Sequence, residues 1–138
     1  GGGGLLSGTA LAAKYFGENV KVIAAEPEMA DDAKKSFESK SFVPSINPQT
    51  IADGLRTSLG DLTFPIILEH VNDIITVDEE SIIKAMRLMW ERAKIMAEPS
   101  SATALAIVIN NPQVFAGKEI AIIVSGGNAD LDHLPWTK

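Results

Sequence analysis

Four consecutive glycines, Gly1, Gly2, Gly3 and Gly4, stand directly ahead of an apolar stretch, LLSGTALAAKYF. Glycines carry no Cβ, so several backbone N–H groups can turn toward one anion, and a helix beginning near Leu5 adds its own free N–H groups and dipole. This suits a monoester phosphate held with little help from cationic side chains. Spacing excludes two other phosphate patterns. A Walker loop needs Lys after its last glycine, but Thr9 follows Gly8, and the dinucleotide pattern G-x-G-x-x-G meets Leu5 or Leu6 where it needs glycine. Taken alone, the glycines fit a linker or a plain loop equally well.

Two further groups have chemistry available. Ser125-Gly126-Gly127-Asn128 follows the apolar run EIAIIV. A strand ending in a hydroxyl and two glycines offers one O–H donor at a sheet edge and lets a flat ring approach the backbone; a glycine-rich turn is the plainer account. In EPEMADD, Glu26 and Asp32 lie six residues apart across a proline-led turn. Two carboxylates with a backbone carbonyl between them are hard oxygen donors of the kind Mg2+ or Ca2+ accepts, although acids at a helix start are also favoured by the dipole alone. His70 and His133 belong to no metal-spaced or triad-like pattern and are expected at the surface. The absence of cysteine excludes thiolate nucleophiles, disulfides and zinc–sulfur sites, and is compatible with a reducing cytoplasm.

The elements that position these groups can be read from periodicity. A helix is predicted over residues 5–16, stopped by Gly17, then a buried strand over 21–25 ended by Pro27. A polar helix follows over 28–39. Residues 41–61 hold Pro44, Pro48, Gly54 and Gly60 and read as loop with one short helical turn. A short helix over 63–70 has Pro65 in its first turn, and 72–77 is a strand. Residues 78–96 place Ile82, Met86, Met89, Trp90, Ala93 and Met96 on one core-facing stripe of a long helix. Pro99 opens another helix through Ile109, and 119–124 is a buried strand. Strands buried on both faces and separated by helices define an α/β fold of three layers, a mostly parallel sheet with helices on both faces. Ligands of such sheets sit beyond the carboxyl ends of the strands, which selects Glu26, Asp78 and Ser125.

Composition bounds the function. The 138 residues suffice for one domain with its own core. With 46% hydrophobic residues, the chain still has no apolar run near the about 20 residues that span a bilayer. A net charge of −6, with Lys34–Lys35 the only adjacent basic pair, argues against a nucleic-acid surface.

In order along nearly the whole chain, GGGGLLSG, AAEPEMADDA, TIADGLRTSLG, MAEPSSATALA and VSGGN resemble the serine racemase and serine/threonine dehydratase group of fold-type II pyridoxal-phosphate enzymes. The resemblance implies that Gly1 to Gly4, with Leu5, cradle the cofactor phosphate and that Ser125 partners the pyridine nitrogen. It places Glu98 beside the ring, where a helix-start carboxylate is the plainer account, and makes Gly54 a backbone contact, where a turn glycine is the plainer one. Glu26, the carbonyl of Ala30 and Asp32 would hold an activating or structural Mg2+ or Ca2+. A hydroxyl, unlike an aspartate, cannot keep the ring nitrogen firmly protonated, so the ring is a weaker electron sink, better suited to β-elimination than to transamination.

The implied activity is β-elimination of serine or threonine to a 2-oxo acid and ammonia, serine racemisation, or both, on a small amino-acid substrate. Hydroxyaspartate dehydration is the alternative within the class, and a non-catalytic phosphate-anion-binding regulatory module the alternative outside it. A homodimer, a cytoplasmic setting and a nucleotide effector near Asn128 are further expectations. Family chemistry needs a Schiff-base lysine in a Ser-x-Lys context near the N-terminus, and none of the nine lysines has that setting. Residues 1–138 are therefore expected to be the C-terminal part of the large domain, inactive alone and, with an uncovered sheet edge, prone to aggregate.

Overall fold

The computed structural model describes residues 1–137. Its centre is a parallel pair, β1 (Ile23–Pro27) and β2 (Asp73–Val77), in the register Ile23 to Asp73 through Pro27 to Val77. Asn72 lengthens the ladder by one rung. Its N–H donates to the Val22 carbonyl at 2.8 Å and its side-chain oxygen accepts from the Val22 N–H at 2.8 Å. Both strands begin later than periodicity predicts, and β1 runs through Pro27 instead of stopping before it. A proline lacks only the N–H, and at a strand's end that loss is tolerated.

Alternation along the two strands divides the core. Val22, Ala24 and Ile74 face one layer with α1 (Gly4–Phe16) and α3 (Thr63–His70), which contribute Ala10 and Ile67. Ala25, Ile75 and Val77 face the other, with α4 (Glu79–Leu88) and α5 (Pro99–Asn110) contributing Ile82, Met86, Ala102 and Ala106. The three-layer α/β arrangement is thus formed around a parallel sheet with helices on both faces. α2 (Asp32–Ser39) packs on β2 after a 3₁₀ turn at Glu28–Ala30, a second such turn lies at Asp53–Leu55, and α6 (Pro112–Phe115) follows α5. No helix is long and apolar enough to cross a membrane among the described residues.

Three predicted features are corrected. The helix starting after Asp78 is capped as its sequence indicates, with the Asp78 carboxylate accepting from Ser81 N–H at 2.9 Å. It does not continue to Met96. A π-helical turn at Met89–Ala93 and a left-handed Lys94, φ 60°, end it early. The apolar stripe therefore stays buried only through Met89 and the half-buried Trp90, while Ala93 is exposed and Met96 is 55% exposed. Residues 119–124 form no ladder with β1 or β2, and Ile120 and Ile123 are more than 40% exposed. An apolar β-branched run states a preference, but a strand exists only where partner N–H and C=O groups meet it. Finally, His133 is exposed beside Asp130, as expected, but the His70 side chain is only 11% exposed. The imidazole sits in the last turn of α3, with Nε2 3.6 Å from Glu69 Oε1.

Candidate functional site

The glycine run folds as a cradle because its carbonyls are tied inward. Gly2 O accepts from Gly60 N–H at 3.0 Å and from the Thr63 hydroxyl at 2.5 Å. Gly3 O accepts from Ser7 N–H at 2.9 Å and the Ser7 hydroxyl at 2.7 Å. Gly3 is the N-cap of α1 in a left-handed conformation, φ 84°, and a Cβ there would sit 2.8 Å from Thr63 Oγ1 and 2.9 Å from Ile67 Cδ1. The N–H groups of Gly2, Gly3, Gly4 and Leu5 donate to nothing among the described residues. They are the free donors of a helix start, with its positive dipole end behind them. A Cβ on Gly2 or Gly4 would meet nothing within 4 Å, so open space lies beside them.

Gly54 reaches this cradle from the second 3₁₀ turn. A Cβ on Gly1 would sit 2.8 Å from Gly54 O, so the two backbones are in contact and glycine is required between them. The Gly54 N–H donates to Ser100 Oγ at 3.1 Å, which ties the turn to the start of α5. Glu98 is the N-cap of α5, yet its carboxylate does not cap. Its Oε2 accepts from Asn128 N–H at 3.0 Å, and its own N–H donates to Gly126 O at 3.0 Å. Close approach explains both glycines after Ser125. A Cβ on Gly126 would land 2.5 Å from Glu98 Oε2, and one on Gly127 would collide with the Met96 carbonyl oxygen.

Gly1, Gly2, Gly3, Gly4, Leu5, Gly54, Glu98 and Ser125 all line one open cavity of about 1250 Å3. Sequence reasoning passed over Ser100, Ser101, Thr57 and Thr63, hydroxyls that bind these backbones or abut them. The only trace of Ser100 and Ser101 is a pair of serines opening an otherwise apolar helix.

Glu26, Ala30 and Asp32 lie at the carboxyl end of β1 and are 8%, 4% and 5% exposed. Glu26 accepts from Ala33 N–H at 3.0 Å and Lys34 N–H at 2.8 Å, so it satisfies the start of α2. Asp32 Oδ1 is buried with no hydrogen-bond partner. Neither carboxylate forms an ion pair among the described residues. Burial pushes the Glu26 carboxyl up to about 7, against the two N–H bonds that pull it down, and burial also raises Asp32. No cluster of three or more His, Asp or Glu side chains poised for a metal exists among the described residues. Two carboxylates and a carbonyl are what this place offers.

The raised Glu26 carboxyl has a measurable sign. Its folded value of about 7 exceeds the ordinary 4.5, so between those values the native state holds a proton that the unfolded chain has lost. This contribution is complete below pH 4.5 and is lost as pH rises through 7. In chelator, the protein is expected to lose up to about 3 kcal/mol relative to Glu26→Gln across that window. Urea unfolding of both proteins at several pH values checks it, and parallel pH profiles would contradict it.

The chain, with a parallel sheet clothed on both faces and an amide-lined helix start and a serine opening on one cavity, matches the "Pyridoxal-phosphate dependent enzyme" family over residues 1–126 and belongs to that family. It is 48% identical over 136 residues to the β-hydroxyaspartate dehydratase of Paracoccus denitrificans (strain Pd 1222), covering 99% of this chain and 43% of that protein. It is 50% identical over 141 residues to the serine racemase of Dictyostelium discoideum, covering 97% of this chain and 43% of that one. The crystal structure of the T.th. threonine deaminase superposes with a TM-score of 0.88 at 45% identity, over 94% of this chain and 48% of the other. The chain thus spans less than half the length of these relatives.

The residues present fit the family's cofactor. The free amides of Gly2 to Leu5 and the open space beside Gly2 and Gly4 suit a phosphate. Ser125 is exposed and lines the same cavity, where its hydroxyl is open to a planar ring.

Proposed function

We propose that this chain is the C-terminal part of the large domain of a pyridoxal-phosphate enzyme that eliminates water and ammonia from 3-hydroxy amino acids, with racemisation as a companion activity. One observation carries the reading: the amide cradle at the start of α1 and the Ser125 hydroxyl open on the same cavity. When bound, the cofactor supplies electron withdrawal from the substrate's α-carbon. The chain's own part is binding and tuning. Gly1 to Leu5 hold the phosphate by N–H groups and dipole, Gly54 closes the side of the cradle, and Glu98 fixes the Gly126–Asn128 backbone. Ser125 presents a neutral hydroxyl to the ring nitrogen. The relatives named for serine, threonine and hydroxyaspartate chemistry make those three the substrates to test.

The full-length protein, given each amino acid in turn, is expected to release 2-oxo acid and ammonia from at least one. No turnover of any of the three would overturn the reading and favour a regulatory phosphate-binding module. Ser125→Asp is expected to slow elimination at least tenfold, about 1.4 kcal/mol of barrier, while side reactions that need a protonated ring emerge. Unchanged turnover in that variant would reject the role given to Ser125.

Glu26, the Ala30 carbonyl and Asp32 are proposed to seat Mg2+ or Ca2+. Buried carboxylates that form no ion pair among the described residues, one with an orphaned oxygen, favour a hard cation whose shell water completes. Asp32→Ala should abolish activation by either ion, and an unaltered metal response would remove the site. A homodimer and a nucleotide effector near Asn128 remain proposals for the complete protein, read by mass measurement and nucleotide titration.

A further inference from the structure

Ser101 stands in the first turn of α5, 2% exposed, and is used by no role given above. Its hydroxyl makes three contacts. It accepts from Gly126 N–H at 2.7 Å, lies 2.8 Å from Gly126 O, and lies 3.2 Å from Ser125 Oγ. A serine hydroxyl has one proton and two lone pairs. The Gly126 N–H takes one lone pair. The proton goes to the closer acceptor, Gly126 O, at 2.8 Å against 3.2 Å. What remains facing Ser125 is therefore a lone pair.

We infer that Ser101 is a positioning residue that competes with the bound ring nitrogen for the proton of Ser125. This rests on the proposed function, in which Ser125 faces that nitrogen. The Ser125 hydroxyl has a single proton and two acceptors, one on each side, so its donation toward the ring is weakened by its neighbour. Ser101 also clamps the Gly126 peptide through both N–H and C=O, which fixes the angle at which Ser125 is presented. An apolar residue at 101 would leave the ring nitrogen as sole acceptor. The electron demand of the site is thus set by two serines on different segments, one at the end of 119–125 and one in α5.

The test is the 15N resonance of full-length protein loaded with pyridoxal phosphate labelled at the ring nitrogen. Hydrogen-bond donation moves this resonance upfield, toward its protonated position. Ser101→Ala is expected to move it upfield, because the Ser125 proton then goes wholly to the ring. Ser101→Cys keeps the packing while offering only a weak acceptor. It is expected to move the resonance the same way, and it carries the test if the alanine variant does not fold. Ser125→Ala is expected to move the resonance downfield, since the donor is gone. A resonance unmoved or displaced downfield by the Ser101 substitutions, with Ser125→Ala shifting it as expected, overturns the role of Ser101 alone. A resonance indifferent to Ser125→Ala overturns the underlying placement of Ser125 instead.

Discussion

Gly3→Ala is expected to destabilise the protein by about 3 kcal/mol and to abolish retention of the cofactor. Two costs add. An L-residue held at the φ of 84° seen at Gly3 sits in the left-handed region, which costs about 1–2 kcal/mol. The new Cβ would also press on Thr63 Oγ1 at 2.8 Å, Ile67 Cδ1 at 2.9 Å and Leu59 Cδ2 at 3.1 Å. Ile67 and Leu59 are buried in the core beneath α1, so the crowding acts as overpacking, about 1–3 kcal/mol. Relief of the strain would swing the N-terminus of α1 away and break the Gly2 O bonds to Gly60 and Thr63 that aim the amides outward. Gly4→Ala is the control. Its Cβ meets nothing within 4 Å, and alanine is the better helix former, so stability should hold or rise by up to about 1 kcal/mol. Chemical denaturation of both variants, with cofactor retained after dialysis as the second reading, checks the pair. Equal stability of the two would show that the conformation of Gly3 is not what builds the cradle.

Gly127→Ala should be nearly as damaging, from the opposite wall. A Cβ there collides with the carbonyl oxygen of Met96, and that atom is backbone. Neither side can rotate away. The collision must be relieved by parting two segments that are otherwise joined by the Glu98 N–H to Gly126 O bond at 3.0 Å and the Asn128 N–H to Glu98 Oε2 bond at 3.0 Å. Losing both, with the strain, is expected to cost about 3 kcal/mol and to lower kcat/KM at least a hundredfold in the full-length enzyme by displacing Ser125. Gly126→Ala offers the comparison, because its Cβ meets the Glu98 carboxylate, the end of a side chain that can turn aside. It should cost about 1 kcal/mol, mainly through the Asn128 bond. A reversed order of the two variants would contradict the packing described.

What the sequence made legible follows from how local the cause is. α3 lies at Thr63–His70 as its pattern indicates, since Pro65 in the first turn is a local signal. The Asp78 cap and the stripe Ile82, Met86, Met89 are also written within a few residues of one another. The two-faced sheet was legible because Val22, Ala24 and Ile74 face one layer and Ala25, Ile75 and Val77 the other, so neither strand has a wet side.

The failures are non-local. Nothing between Met89 and Lys94 announces a π-turn, which accompanies contacts from beyond it: Trp90 Nε1 donates forward to the Ala97 carbonyl at 2.8 Å and its ring meets Trp136 edge to face. Residues 119–124 have the composition of a strand but no ladder partner among the described residues. For the site, Gly1 to Leu5 and Ser125 could be read from spacing and resemblance, and both open on one cavity. Ser101 could not, because its importance comes from a neighbour 24 residues away in sequence and 3.2 Å away in space.

The most direct test is a crystal structure of the full-length protein bound to pyridoxal phosphate. The phosphate oxygens should lie within hydrogen-bond reach of the N–H groups of Gly2 to Leu5, with the ring nitrogen about 3 Å from Ser125 Oγ. A phosphate seated elsewhere, or a ring whose nitrogen faces a group other than Ser125, would contradict the account.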